Sequence, residues 1–169
     1  VKQLGIGRFV ELVVDARGWE YARRVNASGV VVIAAGTADD EVILVEQFRP
    51  PVGARVIELP AGLVGDDVPD EPMALAAARE LEEETGYGGG ELTWVLRGPS
   101  SAGMAAEVYD LFVATGLVRR SAGGGVAGES IVTHVVPRAA VHGWLAERVA
   151  AGALIDAKVY AGLYWLDRA

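Results

Sequence analysis

Large apolar and polar side chains alternate over the first 25 residues. Phe9-Val10-Glu11-Leu12-Val13-Val14 reads as a strand, Asp15-Ala16-Arg17-Gly18 as a turn, and Trp19 to Val25 as a returning strand. Residues 1–25 are therefore expected to form a β-hairpin extension ahead of a core at 26–169. Gly29 to Ala34 and Glu41 to Gln47 are β-branched runs around a polar turn, the pattern of central strands. Val56-Ile57-Glu58-Leu59 is a further strand, ended by Pro60-Ala61-Gly62. Asp70 is expected to cap a helix that carries Pro72 in its first turn, runs to about Thr85 and stops at Gly86. Leu92 to Arg97, Ala106 to Ala114 and Ser130 to Val136 are strand candidates. Arg138 to Ala151 reads as a helix stopped by Gly152, and Asp156 to Asp167 as a last helix. Interleaved strands and helices predict an α/β (α+β) class around a mixed sheet. No internal repeat is read, 121–128 reads as a flexible loop, and 1–169 is expected to be one domain.

Composition narrows the class. About half of the 169 residues are hydrophobic, enough for a real core, and no apolar run is long enough to cross a membrane as a helix. Val1-Lys2-Gln3-Leu4-Gly5 lacks the apolar run of a signal peptide, and the start at valine is expected to reflect a trimmed terminus. The absence of cysteine excludes disulfides and thiol catalysis and fits a cytoplasmic protein. The net charge of −8, with scattered Lys and Arg, argues against nucleic acid as a partner. Acidic clusters such as Asp66-Asp67 and Glu82-Glu83-Glu84 would repel phosphate unless a cation intervenes, although acidic surfaces also serve solubility.

The helix expected up to Thr85 carries Glu80, Glu83 and Glu84 at spacing i, i+3, i+4, which puts them on one face. Ala74, Ala78 and Leu81 fall on another face, suited to packing on the sheet. Three carboxylates on one stripe repel each other, and the reading finds no cation four residues away to relieve them. A divalent cation would, and oxygen ligands are those Mg²⁺ prefers. A solvated acidic face is the ordinary explanation of three adjacent glutamates.

The wider spacing overturns that explanation. Gly65, five residues, Glu71, seven residues, then Arg79-Glu80-Leu81-x-Glu83-Glu84-x-Gly86-Tyr87 resembles the Nudix box at every defined position. A chance match has odds on the order of one in a hundred million per start site. The resemblance implies a Nudix α/β/α sandwich and Mg²⁺-dependent hydrolysis of a pyrophosphate bond, with Mn²⁺ as an alternative and two or more ions per site. By the same resemblance Glu80 and Glu84 are the main metal ligands, Glu83 shares in the site, and the Ala61 carbonyl reaches a metal. Glu71 and Arg79 would orient the ligands, and Gly65 would let the loop before the helix turn tightly.

The resemblance extends to the ADP-ribose pyrophosphatase branch through Glu46-Gln47-Phe48-Arg49-Pro50, Ile57-Glu58-Leu59-Pro60-Ala61-Gly62 and Ile155-Asp156-Ala157-Lys158. Trp19-Glu20-x-x-x-Arg24 is similar to that branch as well. It implies a homodimer whose N-terminal hairpins cross between subunits, with Trp19 stacked on adenine and Glu20 and Arg24 near the substrate. A hairpin anchor is the plainer role for Trp19. Arg49 is a candidate phosphate contact, against a surface ion pair, and Glu58 would hold it. Glu107 resembles a contact to the terminal ribose. By the same resemblance Gly103 and Met104 would belong to the substrate loop, where Ala102 stands in place of the branch's marker proline. Alanine is expected to loosen that loop and opens GDP-mannose or another nucleotide sugar as the alternative substrate; a non-catalytic nucleotide-binding Nudix sensor is the other alternative, against which the complete set of box glutamates speaks. The general base would be Glu129, after the Gly-rich loop, or Glu83. His134 and His142 match no site of the family, and Gly88-Gly89-Gly90 reads as a connection.

Overall fold

The computed structural model describes residues 1–65, 70–125 and 130–169. β1 (Lys2–Ile6), β2 (Val10–Val14) and β3 (Glu20–Arg24) form an antiparallel three-stranded sheet. The expected hairpin is thus β2–β3, with an additional strand laid along β2. Asp15 closes the hairpin turn by accepting the Arg17 and Trp19 backbone N–H groups at 2.8 and 2.9 Å. Lys2–Ile6 escapes sequence reading because it is exposed throughout and its register shifts between Gln3 and Gly5.

The core sheet has β4 (Gly29–Thr37) at its centre, parallel to β10 (Val108–Arg119) on one edge. The other edge of β4 is shared by β7 (Ala61–Val64) and β5 (Glu41–Arg49), both antiparallel. β5 also pairs with β6 (Ala54–Glu58) and β11 (Val132–Pro137), and β12 (Leu154–Ile155) extends β6. β9 (Glu91–Pro99) and β8 (Tyr87–Gly88) flank β10. The sheet is mixed, as expected. β7 was not expected, since Pro60 and Gly62 read as a strand terminator.

Both faces of β4 are covered, which explains its nearly unbroken apolar run. Val31, Ile33 and Ala35 pack with Ala76, Ala77 and Leu81 of α1 (Met73–Thr85). Val32 and Ala34 pack with Val141 and Leu145 of α2 (Val141–Ala150) and with Val159, Leu163 and Leu166 of α3 (Lys158–Leu166). This is the α/β/α sandwich.

Two details of α1 correct the sequence reading. Its N-cap is Pro72, without a side-chain capping bond, and Asp70 sits two residues earlier at φ 60°. Proline's fixed φ and missing N–H suit the first turn without help from a capping carboxylate. Ala74 is exposed, and Ala76 and Ala77 take the sheet-facing positions beside Leu81. The later helices are shorter than expected: residues 138–140 form a 3-10 turn before α2, and Asp156 and Ala157 precede α3.

Candidate active site

The end of α1 is fixed by Gly86 at φ 77°, whose N–H reaches the Glu82 carbonyl at 2.9 Å. A Cβ there would lie 2.4 Å from the Ser121 carbonyl oxygen, so only glycine fits. This stop sets the register of the carboxylate stripe. Arg79 organises it. Its Nε and Nη2 donate to Glu71 at 3.2 and 3.0 Å, and Nη1 donates to Glu80 at 2.9 Å and Glu83 at 3.3 Å. The Glu83 bond is an i, i+4 ion pair, so the stripe does have a cation four residues away, contrary to the sequence reading. The bonds from Arg79 hold the Glu71 carboxyl below its ordinary range. Bonding to Glu71 is in turn the main cause of the raised Arg79 guanidinium, ahead of Glu80.

Glu84 is buried, and its Oε2 accepts the Ala61 backbone N–H at 3.1 Å. Glu80 lies over Gly62 so closely that a Cβ there would fall 1.9 Å from its carboxyl carbon. Gly62 is therefore a cradle for the carboxylate. The Gly65 φ of 81° turns the chain after β7 beside Ser28. Among the described residues, no three carboxylate or imidazole side chains converge on one point in this conformation. The donor set still suits a hard cation: all are oxygens, and among the described residues the cleft above them is lined by six acidic and four basic ones. The residues that would hold such an ion are Glu80, Glu84 and Glu83.

That cleft, about 510 Å³ in volume, runs from α1 past β6 to the end of β3. On its wall Arg49 makes a two-pronged pair with Glu58, through Nε at 2.8 Å and through Nη2. The Glu58 bond is the chief cause of the raised Arg49 guanidinium, against the opposing effect of burial. At the far end Arg24 pairs with Glu107, which also accepts Ser100 Oγ at 2.8 Å. Burial pushes the Glu107 carboxyl up, but bonds from Ser100 and Arg24 outweigh it and leave it below the ordinary range. Lys158 Nζ lies 2.5 Å from Asp156 and 5.7 Å from the centre of the Tyr109 ring.

The structure thus brings Ala61, Arg79, Glu80, Glu83, Glu84, Arg49, Glu58, Arg24 and Glu107 to one cleft, with Glu71 behind Arg79. Trp19, Glu20, Gly103 and Met104 do not line it. Trp19 and Met104 are exposed, Trp19 just before β3 and Met104 in the loop after Ser101. Glu129 lies outside the described residues. His134 is bonded to Glu46 at 2.8 Å and packs on Trp144, and His142 is exposed, so neither lies in the cleft. Sequence reasoning missed Tyr109, Ser100, Asp156 and Lys158 as cleft residues. The Asp156–Lys158 run was visible only as a resemblance without a role.

The family model for the NUDIX domain matches residues 23–132. The chain belongs to the Nudix family. This Nudix chain is 34% identical over 136 residues to a protein named methanol dehydrogenase activator from Bacillus methanolicus, covering 78% of this chain and 72% of that one. It is 39% identical over 118 residues to the ADP-ribose pyrophosphatase of Bacillus subtilis (strain 168), covering 67% and 62%. With the ADP-sugar pyrophosphatase of Mus musculus it shares 44% identity over 81 residues, covering 43% and 36%. The match thus spans less than two thirds of the Bacillus subtilis and mouse proteins. The Nudix fold here resembles a crystal structure of an ADP compounds hydrolase with a TM-score of 0.65, 25% identity, and coverage of 85% of this chain and 79% of that one.

Proposed function

We propose that this Nudix enzyme hydrolyses the pyrophosphate bond of a nucleoside diphosphate sugar, with ADP-ribose converted to AMP and ribose 5-phosphate. Pyrophosphohydrolase chemistry comes with the family; the substrate, the metal and the residue roles are what the proposal adds. The observation that carries it is a single one. The Arg79-held carboxylates open into the same cleft as Arg49 and the Arg24–Glu107 pair, so a metal-binding end and cationic walls face one ligand space.

Mg²⁺, or Mn²⁺, in two or more ions, supplies charge screening and Lewis acidity when bound. Glu80, Glu84 and Glu83 hold it, with the Ala61 carbonyl. Arg79 fixes the carboxylate rotamers, and Glu71 fixes Arg79. Arg49, oriented by Glu58, binds a phosphate oxygen through guanidinium donors that Glu58 leaves over. Arg24 and Glu107 bind the sugar side, and Glu129 or Glu83 takes the proton from the attacking water. Trp19, Glu20, Gly103 and Met104 reach substrate across a homodimer formed by the N-terminal sheets. β2 leaves Val10 and Leu12 exposed for that contact.

Ala102 motivates the second reading, a different nucleotide sugar such as GDP-mannose. Its loop is nonetheless tied down: Met104 and Ala105 N–H groups bond the Ser101 carbonyl at 3.0 and 2.9 Å, and Ala22 exchanges bonds with Met104 and Ala106. This backbone pairing joins the loop to β3. A substrate panel with Mg²⁺ tests the choice. AMP released from ADP-ribose much faster than GMP from GDP-mannose supports the first reading; the reverse order replaces it with the second.

A further inference from the structure

Four cations line the cleft, and they are committed to different degrees. Arg79 has all three guanidinium nitrogens engaged by Glu71, Glu80, Glu83 and the Leu63 carbonyl. Arg49 is gripped in two places by Glu58, and Arg24 is paired with Glu107. Lys158 differs in kind. Its ammonium carries three donors on a flexible stem, and the bond to Asp156 takes one.

We propose that Lys158 is a second phosphate-binding residue of this cleft, with Asp156 as its positioning partner. The inference rests on the nucleoside diphosphate reading and adds a specificity determinant to it. Lys158 and Asp156 line the same cleft as Arg49, Glu107 and the α1 carboxylates, and the Lys158 charge is one of the causes that hold the Glu107 carboxyl low. The Tyr109 ring backs the ammonium. A diphosphate spanning the cleft passes this point with oxygens that Glu80, Glu83 and Glu84 repel, and a compact ammonium follows such oxygens more freely than a fixed guanidinium fork.

A purely structural clamp at the start of α3 does not account for the charge. Asp156 already closes that start, accepting the Lys158 backbone N–H at 2.7 Å on its side chain and the Val159 N–H at 3.0 Å on its carbonyl. Any residue but proline at 158 would keep both bonds. A cation at the first residue of a helix also opposes the helix dipole, so local stability favours an uncharged side chain there.

The test compares the parent with Lys158→Met, Lys158→Arg and Asp156→Asn. The first arm is ADP-ribose turnover with Mg²⁺; the second is titration of ADP-ribose and of adenosine in chelator. Lys158→Met is expected to raise KM about tenfold with kcat within about threefold, the signature of a lost charge-assisted bond to substrate. Lys158→Arg recovers most of that loss, and the melting temperature stays put. In chelator the methionine variant binds ADP-ribose about tenfold more weakly, whereas adenosine, which has no phosphate, binds both proteins alike. Asp156→Asn raises KM less, and adds nothing to Lys158→Met in the double variant.

A KM unchanged by Lys158→Met in an active parent overturns the inference and leaves the hydrolase reading intact. So does a joint fall in kcat and melting temperature that arginine does not rescue, since that is a clamp. A parent without turnover that binds ADP-ribose through Lys158 sinks the hydrolase reading and keeps this one. A parent that neither turns over nor binds overturns both.

Discussion

At the α1 end of the cleft, each ion pair that Arg79 makes joins residues no more than eight positions apart, and the bond from Ala61 to the Glu84 side chain spans 23. At the β3 end, Arg24 meets Glu107 from 83 positions away. The first end is assembled by one helix, its glycine stop, the loop before it and the adjoining strand β7, which supplies the Ala61 N–H and the Gly62 cradle. The second exists only when the N-terminal sheet docks on the loop at 104–106, through the bonds between Ala22 and that loop. The contrast in construction matches a contrast in task. The metal site proposed there would need ligands fixed to fractions of an ångström, which a helix packed against a neighbouring strand provides. A substrate's variable half needs shape and a few bonds, which separate elements can supply and change independently.

Gly62→Ala should break the α1 end most severely. The new Cβ claims the place of the Glu80 carboxyl, so the ligand must shift by an ångström or more; a displacement of that size costs about a hundredfold in turnover. Because the clash is with the end of a flexible side chain, circular dichroism should show an intact fold. Turnover within about threefold of the parent would mean that Glu80 is not held for catalysis.

Arg79→Met comes next. It leaves Glu71, Glu80 and Glu83 without their shared partner, and the expected loss in kcat is about 10–100-fold, the range for residues that orient metal ligands. At the β3 end the effect should move to KM. Arg24→Met and Glu107→Gln are each expected to raise KM about three- to tenfold, and the double variant should be no worse than the worse single one, because they act as a bonded pair. Additive losses in kcat would erase the distinction between the ends.

The smallest effect is on acid stability. Glu71, bonded to Arg79, titrates below its ordinary value of 4.5. A carboxylate lowered in the folded state stabilises the fold above that ordinary value and loses its contribution as pH falls through the lowered one. Melting temperature should therefore decline below about pH 4.5. Glu71→Gln should lower it at neutral pH and flatten part of that decline. An identical acid profile in the variant would show that the Glu71–Arg79 pair contributes nothing to folding.

The same contrast explains what the sequence made legible. The helix up to Thr85, its stop at Gly86 and the Glu71–Arg79–Glu80–Glu83–Glu84 group are local, so their spacing along the chain carried the resemblance to the Nudix box that located them. Helical phase was less well read at the other face, where Ala76 and Ala77 rather than Ala74 meet the sheet. Arg24, Arg49, Glu58 and Glu107 came from resemblance, because their pairing depends on strand register that no local pattern encodes. Asp156 and Lys158 pair locally, but they meet Tyr109 only once α3 docks beside β10, and no spacing rule foresees that. Trp19, Gly103 and Met104 stand apart from the cleft of a single chain, and their roles rest on the proposed dimer. β1 was hidden by its full exposure and shifted register, and β7 by Pro60 and Gly62, which read as a strand terminator.

Turnover of ADP-ribose with Mg²⁺, with and without chelator, for the parent and for Glu84→Gln, tests the central claim most directly. AMP production that vanishes with chelator and falls at least about a hundredfold in the variant is the predicted result, beyond the range for supporting residues alone. A folded parent that produces AMP equally well in chelator, or a Glu84→Gln variant as active as the parent, would contradict the assignment of the α1 stripe as the metal site.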